Sequence, residues 1–64
     1  MNKLRFFVSE YEDGSYEIKT KHVHYAFRDD INIDNIEKWD LGETMYKIAK
    51  ILEKENIQAY FVMN

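Results

Sequence analysis

Residues 40–56, DLGETMYKIAKILEKEN, set the terms for the rest of this chain. Leu41, Met45, Ile48, Ala49 and Leu52 recur at spacings that place them on one stripe of a helix. Asp40 is positioned to cap the first turn, and Glu43 three residues later completes a capping-box pattern. Lys47, Lys50 and Lys54 sit toward the far end, where the helix dipole favours positive charge, and Asn56 is a natural stop. A helix with a single apolar stripe requires a surface to lie on. In a 64-residue chain that surface has to come from the short segments on either side.

Those segments read as strands. From Lys3 to Tyr11, Leu4, Phe6 and Val8 alternate with Arg5, Phe7 and Ser9. Glu12-Asp13-Gly14 then marks a hairpin. A three-residue loop with Gly14 left-handed sets Tyr11 against Ser15, Glu10 against Tyr16 and Val8 against Ile18. This register gathers Leu4, Phe6, Val8, Tyr16 and Ile18 on one face; a one-residue slip would turn that set outward. Beyond Thr20 the apolar phase changes from even (Tyr16, Ile18) to odd (Val23, Tyr25, Phe27). The change predicts either a bulge in one long strand, which is preferred, or a turn at Thr20-Lys21 opening a third strand over residues 22–28. Asp29–Trp39 reads as an acidic connection that Ile31, Ile33 and Ile36 pin down, with Asp34 placed to cap a short helical turn. Ile57–Met63 reads as a closing strand with Ile57, Ala59, Phe61 and Met63 on one face and Tyr60 and Val62 on the other. The expected fold is α+β: a small antiparallel or mixed β-sheet in the order β-β-(β)-α-β, one amphipathic helix packed on one face, and a single domain over residues 1–64.

Size makes the core precarious, since a chain this short is near the lower limit for folding alone. Ten aromatic residues supply large apolar area, more than so small a core can hide, so several rings should be exposed. There is no cysteine, hence no disulfide and no thiolate site. No signal sequence is visible and no apolar run is long enough to cross a bilayer, so a soluble, cytoplasmic protein that does not enter membranes is expected. The net charge of −3 is unevenly spread: residues 29–43 hold six acids against one lysine. Direct binding to nucleic acid, which needs a basic surface, is not expected.

Motifs for chemistry are weak. His22-Val-His24 has a workable metal spacing on a strand but no evident third ligand, so surface histidines are the better reading. Asp30-Ile-Asn32-Ile-Asp34 matches half of a calcium loop, but Asn35 replaces the turn glycine and Leu41 the bidentate glutamate. Ser9 and Ser15 lie in a strand and a turn without an activating context. An enzyme, a metal site and a cofactor are therefore not expected.

What remains is contact surface. One helix covers one sheet face, leaving Phe7, Tyr11 and Tyr60 on the reverse. The acids Asp29, Asp30, Asp34, Glu37, Asp40 and Glu43, with Trp39 among them, can supply charge steering and a ring anchor. These ten residues form the expected partner-binding set. The segments YEDGSYEI and LGETMYKIAKIL resemble the hairpin and the G-x-T helix start of HicB-type antitoxin domains, over about half the chain. The proline-glycine segment usual between those parts is missing, and Asp29–Asp40 stands in its place. The plan is also similar to that of small phage proteins that inhibit host machinery. Neither likeness transfers a functional residue. The reading placed first is a non-enzymatic protein-binding module: a small inhibitor or regulator, of phage origin, that occupies a basic or nucleic-acid-binding surface of a host or defence protein. Second is a self-associating, antitoxin-like homodimer; a metal-dependent enzyme comes last.

Overall fold

The computed structural model describes residues 2–64. Its strands are β1 (Lys3–Glu10), β2 (Tyr16–Lys19), β3 (Ile33–Ile36) and β4 (Gln58–Met63), with one α-helix, α1 (Leu41–Glu53), between the last two. They form one mixed sheet in the order β3-β2-β1-β4; β4 runs parallel to β1 and the other pairings are antiparallel. This is the α+β architecture expected, with the helix on one face.

The hairpin forms in the expected register. Val8 pairs with Ile18 and Glu10 with Tyr16. The Tyr11 N–H donates to the Ser15 carbonyl at 2.8 Å, and Gly14 takes φ 88°, a conformation glycine adopts without penalty. Asp13 fixes the loop by accepting from both the Ser15 N–H (2.9 Å) and the Ser15 hydroxyl (2.7 Å). Leu4, Phe6, Val8, Tyr16 and Ile18 are all buried on the helix side.

After Lys19 the chain leaves the sheet, which corrects both expectations for residues 20–28. No strand forms there. The His22 carbonyl accepts from the N–H groups of Tyr25 and Ala26, both at 2.9 Å, and the Arg28 carbonyl accepts from Asn32 at 3.1 Å, so the segment is a run of tight turns. The odd phase of Val23, Tyr25 and Phe27 reflects no strand face: Val23 and Phe27 point to solvent. The third strand comes from the acidic connection instead. β3 pairs Ile36 with Tyr16 and Ile33 with Ile18, so it carries one residue more than β2 across the same span. That extra residue is a bulge, with Asn35 at φ 56°. It explains how isoleucines three apart both turn toward the core. Asp34 therefore lies in a strand and caps nothing.

The helix entrance differs as well. A 3₁₀ turn, Lys38–Asp40, runs straight into α1, and Asp40 is helical rather than extended. Its carboxylate caps no N–H; the Leu41 N–H is met by the Lys38 carbonyl, and Glu43 pairs with Lys47 at 3.2 Å. The exit is as expected. Asn56 is left-handed (φ 62°), its N–H donates to the Glu53 carbonyl, and the Ile57 N–H reaches back to the Leu52 carbonyl at 3.0 Å. This is a Schellman closure, and Leu52 and Ile57 on either side of it are both buried in the core.

Ile48 and Leu52 of α1 meet the sheet, while Ile31 from the turns and Ile57 close the ends of the core. Each such fully buried side chain contributes about 1.5–3 kcal/mol. Among the described residues, no helix is long and apolar enough to cross a membrane.

Candidate functional site

β3 pairs beside the start of β2, so the chain emerging after Ile36 passes next to the hairpin loop. Glu37, Lys38 and Trp39 thereby meet Asp13, Gly14 and Ser15 across a shallow cleft of about 220 Å³. Trp39 does not close the core: it is 81% exposed. Its indole N–H donates to Glu37 Oε2 at 2.9 Å, which fixes the ring while leaving its faces to solvent. The two Ser15 hydrogen bonds hold the Asp13 carboxyl below its ordinary titration range, so it is charged at neutral pH. Asp40 and Glu43 follow in the 3₁₀ turn and first helical turn.

The rest of the acidic segment does not join them. Asp34 faces the open side of the sheet and pairs with Lys19 at 3.1 Å. Asp30 binds Arg28, with contacts of 2.8 and 3.1 Å, and the same guanidinium takes Glu55 at 2.9 Å. These bonds lower the pKa of both carboxyls and raise that of Arg28. Asp29 stands in the turn beside them. Of the six acids, only Glu37 lines the cleft at Trp39, together with Lys38; Asp40 is the next residue along the chain, and Glu43 pairs with Lys47. The hairpin adds Asp13, which the composition of residues 29–43 could not reveal.

The open sheet face differs from a bare aromatic surface. Phe7 is half-buried, with the Lys21 ammonium 4.7 Å from its ring centre. Arg5 lies over Tyr60 and donates from Nε to its hydroxyl at 3.0 Å. Tyr11, beyond the end of β1, donates its hydroxyl to Glu17; that bond pushes the phenol up to about 12. Lys3, Arg5 and Lys21 have no carboxylate partner among the described residues, and together with Phe7 and Tyr60 they line one open cleft. This gathering of cations went unseen because Lys21 lies beyond the end of β2, where a continuing strand was expected.

His22 and His24 lie in the turns rather than on a strand. The His24 N–H donates to His22 Nδ1 at 3.2 Å, and the His22 ring meets Tyr25 edge-on. Among the described residues, no three His, Cys, Asp or Glu side chains are grouped to hold a metal ion. Phe27, at 89% the most exposed large apolar side chain among the described residues, was also missed, because a strand was expected there.

No family model, curated protein or solved structure matches the chain. Function therefore has to be argued from this geometry.

Proposed function

We propose that the protein is a non-enzymatic binding module that docks on a basic surface of another protein through the hairpin end. The supporting observation is the exposed Trp39, fixed by Glu37 and sharing a cleft with Asp13 of the hairpin, with Asp40 next in the chain. An oriented indole loses little freedom on binding, and the nearby carboxylates steer a basic partner toward it. A surface that normally holds nucleic acid has the required charge, so the reading extends to a small inhibitor or regulator, of phage origin, acting on a host or defence enzyme in the cytoplasm. Asp34 and Asp30 act within the fold, as ion-pair partners of Lys19 and Arg28.

Capture from host lysate by the wild-type chain, beside Trp39→Ala and Glu37→Gln, tests this. A partner with a basic surface, lost with Trp39→Ala and weakened at least tenfold by 0.5 M salt, supports the reading. Addition of that purified partner should shift Trp39 emission to the blue. Capture indifferent to Trp39 and to salt overturns it.

A further inference from the structure

β4 is an edge strand, and its backbone phase can be read from its two ends. The Gln58 N–H donates to the Asn2 carbonyl at 2.7 Å, and the Asn64 N–H to the Val8 carbonyl at 2.9 Å. In a parallel ladder, even-numbered residues of β4 then use both N–H and C=O on β1. Ala59, Phe61 and Met63 direct theirs outward, where no strand lies. The opposite edge, β3, is blunted by Asp34 and by the bulge at Asn35. β4 has no such device: Gln58–Met63 contains no proline, glycine or charge.

We infer that β4 pairs antiparallel with β4 of a second copy, about a two-fold axis through Phe61. Only this symmetric register satisfies every outward group at once. Phe61 exchanges both bonds with Phe61 of the second copy, and Ala59 does so with Met63 on each side. The side chains agree with the backbone. Met63, 60% exposed, falls opposite Ala59, beside a hollow whose apolar side is Ala49, Ile57 and Ala59 and whose polar rim includes Glu53 and Asn56. On the open face Tyr60 falls opposite Val62, an aromatic against a β-branched residue, each 37% exposed. The seam itself is uncharged, so two chains of net charge −3 bring no like charges together along it. A six-residue strand is a small contact beside the roughly 1,200–2,000 Å² that stable complexes bury, so the dimer dissociates on dilution. The product is one continuous sheet with both helices on the same side. It leaves Trp39 free, so this inference stands apart from the docking reading.

The cysteine-free chain allows a direct test of the register. Tyr60→Cys and Val62→Cys should form a disulfide dimer when the two variants are mixed under mild oxidation. A non-hydrogen-bonded antiparallel pair lies about 4.5 Å apart at Cα, within disulfide reach. Each variant alone should cross-link far less, because like residues are offset along the strands. Light scattering of the wild-type chain should show twice the 7.8 kDa monomer mass at high concentration, falling on dilution. Met63→Lys, at an exposed position, should weaken association at least tenfold while leaving the circular dichroism spectrum unchanged. A monomer at every concentration up to millimolar overturns the dimer; cross-linking of like with like as efficient as in the mixture overturns the register.

Discussion

Asn32 engages its whole amide in closing the turns that follow β2. Its Nδ2 donates to the carbonyls of Tyr25 (2.9 Å) and Arg28 (2.7 Å), and its Oδ1 accepts the Thr20 N–H at 2.9 Å. Thr20 is buried, so that N–H has no easy recourse to water. No other side chain has this shape: aspartate loses both donors, and glutamine is a methylene too long. Asn32→Ala should destabilise the fold by about 2–4 kcal/mol, since several backbone groups are orphaned together. Urea denaturation would check this, and a loss under 1 kcal/mol would mean that water replaces the amide. In the sequence Asn32 resembled a ligand of a calcium loop. Its partners are main-chain atoms up to twelve residues away, and a main-chain partner leaves no mark in a motif.

At the scale of elements, the hairpin and helix were legible because their signals are local. Asp13-Gly14 fixes a loop, loop length fixes register, and register decides which residues are buried. The helix stripe needs nothing beyond its own period. β3 was illegible for the complementary reason. Its isoleucines are three apart, a spacing that suits a strand only when a bulge absorbs one residue, and the bulge rests on Asn35 turning left-handed. Residues 22–28 misled in the other direction: alternation alone cannot distinguish a strand from turns whose apolar side chains stand in solvent. Of the expected contact set, the closeness of Glu37 to Trp39 was legible as neighbours in sequence. The contribution of Asp13 was not, because it depends on β3 lying beside β2. Leu52 ties the elements together, being fully buried in the core while its carbonyl accepts the Ile57 N–H that turns the chain into β4. Leu52→Ala should cost about 3–5 kcal/mol. A domain of this size commands only about 3–10 kcal/mol in total, so the variant should be partly unfolded at 37 °C. Tyr46→Ala, on the solvent side of the same helix at 62% exposure, should change stability by less than about 0.5 kcal/mol. Thermal unfolding followed by circular dichroism separates them; equal losses would show that the helix packs by some other face.

For the molecule as a whole, charge is sorted by place. Acids border Trp39 at the hairpin end, unpaired cations line the open sheet face, and Arg28 joins the turn segment to the end of the helix through Asp30 and Glu55. That last cluster is the one long-range ionic fastening between the turns and the helix among the described residues. It involves the segment least supported by the sheet. Asp30 and Glu55 both titrate below their ordinary range in the folded chain because Arg28 binds their charged forms. A carboxyl whose folded pKa is depressed adds stability above its unfolded pKa and loses it as pH falls through the folded value. The wild-type chain should therefore hold a steady melting temperature from pH 7 to about pH 5 and lose it steeply below about pH 4. Arg28→Ala removes the cause of the depression. It should lower the melting temperature at pH 7 and flatten the acid limb, so that the two curves approach each other as both carboxyls become protonated. Salt should narrow the gap at pH 7 as well, because these pairs remain partly open to solvent. Parallel curves from pH 7 down to pH 2.5 would place the acid sensitivity elsewhere, the hydrogen-bonded Asp13 being the next group whose depressed pKa carries the same sign.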